Sequence, residues 1–244
     1  MADQQQVILF DLPSQPPCKA WSLNPWKTRL LLNFKNIPYK TEWLEYPDIA
    51  PRLSPHLPPN EEGSAYTIPT VILPTGKYVT DSKVIAEKLQ ALYPTPHIDL
   101  ASPYQTKMEE LMPQLMKSFR AVYLPLIPKS LLNEKSRPYW YDTRGKLLGM
   151  EVDDFGRENG GEKTWAKVEP VVKAVTALMK ENPNGPFFEG KQVVYADLVW
   201  GAFLIFLKRM DQGVFDEMLK RSGDKAVHEA LLKGLEKWTD RDDH

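Results

Sequence analysis

The side chains able to do chemistry in this sequence are one thiol, four imidazoles and a set of oxygen-bearing residues placed where helices should begin. Cys18 is the only cysteine, which leaves no internal disulfide, no paired-thiol redox motif and no cysteine-rich zinc site. His56, His97, His228 and His244 show no metal-ligand spacing, so no metal is expected. Three polar helix starts remain: Ser22-Leu23-Asn24-Pro25, Thr80-Asp81-Ser82 and Ser102-Pro103. Short polar side chains accept from orphan amides at such starts. A proline at the first helical position lacks only an N–H that would be unpaired anyway.

Composition narrows the function classes. Of 22 prolines, 12 fall in residues 1–75, whereas none of the 13 glycines precedes Gly63. A first third without glycine cannot open on a Rossmann or P-loop phosphate site, because both need glycines where backbone approaches phosphate. Net charge is −1, and residues 1–93 carry nine basic and nine acidic side chains. Neither part is basic enough to hold nucleic acid or an anionic membrane. The longest uncharged apolar run, Leu198 to Leu207, is half of what a membrane span needs. No basic region precedes an apolar core at the amino terminus, so no signal peptide is expected and a cytoplasmic location is.

The elements that must carry these residues follow from pattern. Val7–Phe10 predicts a buried strand, and Asn24-Pro25 a helix with Trp26, Leu30 and Phe34 on its apolar stripe. Lys40–Leu44 predicts a second strand, and residues 47–63, with five prolines, an irregular stretch. Pro69–Leu73 and Lys77–Thr80 predict a hairpin about Pro74-Thr75-Gly76, followed by a helix opening at Asp81-Ser82. Residues 1–93 therefore read as an α/β unit with a mixed sheet. A linker over 94–102 leads to an all-helical domain over 103–244, with helices near 134–150, 163–181, 195–210 and 224–238 after the one that starts at Ser102.

Three signatures in this order resemble a glutathione transferase. They are Trp21-Ser22-Leu23-Asn24-Pro25-Trp26-Lys27-Thr28-Arg29, then Ile68-Pro69-Thr70-Val71, then Asp81-Ser82. The proline-rich approach to Ser22 and the run from Asn24 to Tyr39 are most similar to the fungus-specific FuA class, itself related to bacterial etherases. The resemblance implies a thioredoxin-like N-terminal domain with a four-stranded mixed sheet and an all-α second domain. It further implies glutathione as co-substrate with no other cofactor, and a homodimer.

Each signature has a physical job. Glutathione's thiol is mostly protonated at neutral pH, and only its thiolate is a useful nucleophile. Each unit of pKa lowering needs ~1.4 kcal/mol of differential interaction, which one charge-assisted hydrogen bond supplies. The resemblance implies that Ser22 activates the thiol, with Asn24 close enough to help unless its side chain caps the helix. It implies a cis bond at Ile68-Pro69 that turns the Ile68 backbone toward the cysteinyl part of glutathione. Asp81 then takes the γ-glutamyl ammonium, Ser82 and helix-end amides take its carboxylate, and Lys40 meets the glycyl carboxylate. Met112, Phe119 and Tyr123, from the stripe that begins at Met108, are expected to line the pocket for a hydrophobic substrate, although a core role fits them equally.

Rivals are weaker. A tyrosine-type site would place a phenol near Phe10-Asp11-Leu12, where there is none, and no proline-helix start follows Cys18 directly to support a cysteine-type mechanism. Two departures from the family pattern stand out. Two residues separate Ser22 from Pro25, and Val194 occupies a capping position where a hydroxyl is usual, leaving Asp197 to bond backward alone. The expected function is a serine-type transferase acting on hydrophobic or aromatic electrophiles. The alternatives are a ligandin that sequesters polyphenols or other hydrophobic compounds, and a non-enzymatic adaptor.

Overall fold

The computed structural model describes residues 6–242. Strand β1 (Val7–Asp11) lies in the sheet interior, which its nearly continuous burial requires. Helix α1 (Leu23–Phe34) then crosses over to β2 (Tyr39–Trp43), as a parallel pair demands. Strands β3 (Thr70–Ile72) and β4 (Tyr78–Thr80) form an antiparallel hairpin closed at Gly76, whose φ of 80° suits glycine. Sheet order is β2-β1-β3-β4, mixed as expected. The stretch expected to be irregular instead holds a 3-10 turn over Tyr46–Asp48 and the short helix α2 (Ile49–Leu53). Helix α3 (Ser82–Leu92) completes the N-terminal domain.

The rest is helical: α4 (Pro103–Ser118), α5 (Arg120–Ser130), α6 (Arg137–Leu148), α7 (Val152–Asn159), α8 (Glu162–Met179), α9 (Tyr195–Met210), α10 (Gln212–Arg221) and α11 (Lys225–Leu235). Helix α9 is buried on nearly every side, as its run Leu198–Leu207 dictates, and packs against α1 to join the two domains.

The cap of α1 differs from the expectation. Ser22, not Asn24, is the N-cap residue, and Pro25 stands third in the helix. Because the first four helical amides have no intrahelical partner, proline there costs no hydrogen bond. The loop before Ser22 is fastened to the helical domain. Gln15 N–H donates to Leu131 O at 2.8 Å and Ala20 N–H to Asp242 O at 2.7 Å. The Trp21 indole donates to Pro13 O, and its ring lies 6.4 Å from Phe206. Beneath it the buried Arg29 donates to Asp11 Oδ2 at 2.8 Å and to Arg241 O at 3.1 Å, tying β1 to the carboxy-terminal segment.

His228 sits fully buried between two helices. Its Nδ1 accepts from the Trp200 indole at 3.0 Å, which leaves the proton on Nε2, facing Thr176 Oγ1 at 2.9 Å. Burial lowers its pKa to about 4, and a second proton on Nδ1 would oppose the indole N–H. Between about pH 4 and 6.5 the unfolded chain binds more protons than the native one, so this group's stabilisation is complete above 6.5 and lost as pH falls toward 4. The stability gap between wild type and His228→Leu is expected to shrink by roughly 2–4 kcal/mol from pH 7 to pH 4. A gap in urea unfolding that is the same at both pH values would refute this.

Candidate functional site

Sheet register assembles the site. Phe10, Thr70 and Thr80 form one row across β1, β3 and β4. Just beyond that row, at one end of the sheet, β1 runs into the loop to Ser22, β3 is entered through Ile68-Pro69, and β4 leaves through Asp81-Ser82. Three signatures separated by up to sixty residues thus meet because an antiparallel strand brings its start beside its neighbour's end.

Ser22 is half-buried at the positive end of α1, and its hydroxyl makes no capping bond, so it remains available to a ligand. Asn24 is exposed in the first turn and is not the cap. The Ile68-Pro69 bond is cis. Among the described residues, neither the Ile68 N–H nor its C=O takes part in a backbone hydrogen bond. Thr70 Oγ1 donates to Thr67 O at 2.9 Å, which steadies the approach to that edge.

Asp81 adopts φ 73°, a region side chains other than glycine and short polar ones seldom enter. Its Oδ1 accepts from Lys83 N–H at 2.8 Å and Val84 N–H at 3.2 Å. Ser82 is held from the other domain, because the buried Tyr195 hydroxyl donates to its carbonyl at 3.1 Å. A cleft of about 300 Å³ opens beside these residues, lined among others by Lys27, Gln105, Met112 and Tyr195.

Several expected residues lie elsewhere. Lys40, second in β2, pairs with Ile8, two residues back from the Phe10 row toward the end of the sheet away from the site. Two residues of strand span about 7 Å. Phe119 is fully buried, with the rings of Trp165, Tyr123 and Phe203 at 5.7, 6.1 and 6.4 Å, and is core. Met112 does line the cleft beside Asp81. Tyr123 lies on another side, edge-on to Phe206 at 6.4 Å, which in turn meets Trp21. Met108, Met112, Leu115 and Phe119 are all buried, so the stripe faces the core along the whole of α4, and of the three expected residues Met112 alone borders the cleft beside Asp81. Cys18 is exposed in the loop with no helix start behind it, and desolvation raises its thiol pKa, both unfavourable to a thiolate. Lys27, Gln105 and Tyr195 were not singled out by sequence. Only Lys27, a charge inside the apolar α1 stripe, carries a sequence signal that could have marked it.

A family model for the glutathione S-transferase N-terminal domain matches residues 21–92, and one for the C-terminal domain matches residues 106–238. With more than half the chain matched, the protein belongs to the glutathione S-transferase family of enzymes. It is similar to the glutathione S-transferase-like protein ustS of Aspergillus flavus, 28% identical over 96% of this chain and 92% of that one. Among solved structures it is similar to a Ceriporiopsis subvermispora glutathione S-transferase, CsGST63524, in complex with glutathione, with 28% identity, TM-score 0.81 and coverage of 96% and 98% of the two chains. It is likewise similar to GSTFuA3 of Phanerochaete chrysosporium, with 26% identity, TM-score 0.82 and coverage of 97% and 98%. Among the described residues no helix is long and apolar enough to cross a membrane, and no group of three or more metal-ligating side chains occurs.

Proposed function

We propose that the protein is a serine-type glutathione transferase that holds the glutathione thiolate for attack on hydrophobic or aromatic electrophiles. The observation that carries this reading is the uncommitted Ser22 hydroxyl at the start of α1, at the same end of the sheet as the cis Ile68-Pro69 edge and Asp81-Ser82. Glutathione would lie along that edge. The Ile68 N–H and C=O pair with the cysteinyl backbone, Asp81 takes the ammonium, and Ser22 donates to the sulfur. Thiolate stabilisation by one donor plus the helix end does the chemical work, and positioning does the rest.

Ser22→Ala is expected to lower kcat/KM for conjugation about 100-fold and raise the bound thiol's pKa by about one to two units. Ultraviolet thiolate titration and steady-state rates measure the two effects. Unchanged values for both would sink the serine assignment. The same resemblance implies a homodimer, and Val84 and Leu92 on α3 are exposed apolar side chains.

A second reading, a ligandin for polyphenols or other hydrophobic compounds, is favoured by a larger cleft of about 680 Å³. It lies at the far end of α9, lined by Trp26, Ile205 and Leu232 together with Lys208, Arg209 and Lys233. Flat apolar compounds with acidic groups fit that lining. Micromolar polyphenol binding that persists in Ser22→Ala, beside negligible turnover, would favour it.

A further inference from the structure

Residues 12–22, which carry the chain from β1 to Ser22, form neither strand nor helix. Where the Ser22 hydroxyl sits is therefore set by whatever ties that loop down. The ties nearest the serine run to one residue. Ala20 N–H donates to Asp242 O at 2.7 Å, and the Lys19 ammonium donates to Asp242 Oδ1 at 2.8 Å. The Ala20 carbonyl is engaged too, accepting from the Trp26 indole at 3.0 Å. Both backbone polar groups of Ala20 are thus held, and only about 7 Å of chain separates this anchor from Ser22.

Asp242 is fixed from its other side as well. The residue is 7% exposed, and while Oδ1 faces Lys19, Oδ2 accepts from the Arg209 guanidinium in the last turn of α9. That same helix opens with Tyr195, whose hydroxyl donates to the Ser82 carbonyl at 3.1 Å. Helix α9 has 16 residues and packs along α1. It is a rod of about 24 Å that reaches Ser82 from its first residue and, through Asp242, the approach to Ser22 from its last turn.

Folding energy does not account for this carboxylate. The Lys19 and Arg209 side chains are 31% and 36% exposed, and ion pairs that wet add little to overall stability. What the pair of contacts does supply is geometry, and a displaced donor loses a thiolate bond quickly with distance.

We propose that Asp242 is a positioning residue for the transferase reaction, clamping Lys19 and Ala20 to the end of α9 so that the Ser22 hydroxyl stays on line with the glutathione sulfur. The inference rests on the serine reading above. The Asp242 side chain is spent on Lys19 and Arg209, so it acts through Ser22 and leaves capture of the tripeptide to the Ile68 edge and Asp81.

The test compares Asp242→Ala, Ser22→Ala and the double variant in steady-state conjugation and in ultraviolet titration of the glutathione complex. Calorimetric binding of S-methylglutathione, which has no thiol, reports whether the peptide site is intact. Asp242→Ala is expected to lower kcat about 10-fold and raise the bound thiol's pKa by about half to one unit, with S-methylglutathione affinity within about twofold of wild type. In the Ser22→Ala background the same substitution should change kcat less than about twofold, because nothing is left to position. Asp242→Asn, which keeps one acceptor, should fall between. Arg209→Met breaks the clamp from the α9 side and should repeat the pattern, which decides the matter if Asp242→Ala does not fold. A 10-fold loss that persists in the Ser22→Ala background, or S-methylglutathione affinity that falls in step with kcat, would mark a structural aspartate and overturn the proposal. So would wild-type kcat and thiol pKa in Asp242→Ala beside a clear loss in Ser22→Ala, with the serine reading left standing. Unchanged values in Ser22→Ala itself would overturn both.

Discussion

Replacing Arg29 by methionine is expected to destabilise the fold by about 3–5 kcal/mol. Arg29 and Asp11 form an ion pair at 2.8 Å in which both side chains are wholly buried. Desolvation lifts the Asp11 carboxyl above its ordinary value, and the Arg29 guanidinium offsets part of that lift. Methionine keeps the apolar stem but leaves the carboxylate with one donor, the Leu12 N–H at 2.7 Å. Chemical denaturation measures the loss. In the double variant Arg29→Met with Asp11→Leu the orphaned charge is gone, and stability should return in large part, since buried pairs are often replaceable by apolar groups. A loss below about 1 kcal/mol for the single variant would contradict the buried-charge account. A double variant no better than the single would instead assign the loss to the bonds Arg29 makes to Thr41, Tyr39 and Arg241.

The second large effect is expected at Asp197. Its two oxygens accept separately from Phe188 N–H and Val194 N–H, both at 2.8 Å, and the side chain is fully buried. Val194 has no side-chain acceptor, so this carboxyl supplies the side-chain cap at the entry to α9, beside the backbone bond from Tyr195 N–H to Asp99 O. Asp197→Ala strands two buried donors at roughly 1–3 kcal/mol each, or about 2–6 kcal/mol together. Asp197→Asn, which keeps one acceptor, should fall between. Because Tyr195 in the same turn holds Ser82, the alanine variant should also raise the KM for glutathione.

The pH dependence separates this group from His228. Burial lifts Asp197 to about 7 against an ordinary 3.8, with its two N–H bonds pulling the other way. Between those values the native state holds a proton that the unfolded chain has lost, so this stabilisation declines as pH rises from 4 to 7. His228 contributes the opposite slope over most of that window. Wild-type stability alone would show little of either, and each emerges only as a difference from its variant. A gap between wild type and Asp197→Asn that does not narrow with rising pH would contradict the shift.

What was legible in the sequence was local. Ser22, Ile68-Pro69 and Asp81-Ser82 each announce themselves through neighbours a few residues away, and the mixed sheet follows from the order of short apolar runs. The α1 start could be read two residues too late because Ser22 and Asn24 are both capping types and proline is tolerated at either resulting position. Lys40 could be put on the right strand, but which end of a strand faces a site is a matter of register with another strand. Phe119 shows the same limit in the helical domain, since an aromatic ring carries no mark of whether a pocket or the core will cover it. Helices α5, α7 and α10 went unread. Prolines 125 and 128 inside α5 argue against a helix locally, and packing against α7 and α9 overrides them. Lys27 and Gln105 lie 78 positions apart and meet at one cleft only across the domain interface.

The gap between the two matched family regions looks like a seam at which the chain could be divided. The bonds over the loop and the carboxy-terminal segment make it a poor one. Ala20, just before the first region, and Arg29 and Asn33 within it depend on carbonyls of Asp242, Arg241 and Trp238, contributed from the far end of the chain. Modularity in sequence is therefore not modularity in folding. A hybrid joining this first region to another relative's helices would have to bring residues 238–242 with it, and the loop leading to Ser22 would be the first part to notice their loss.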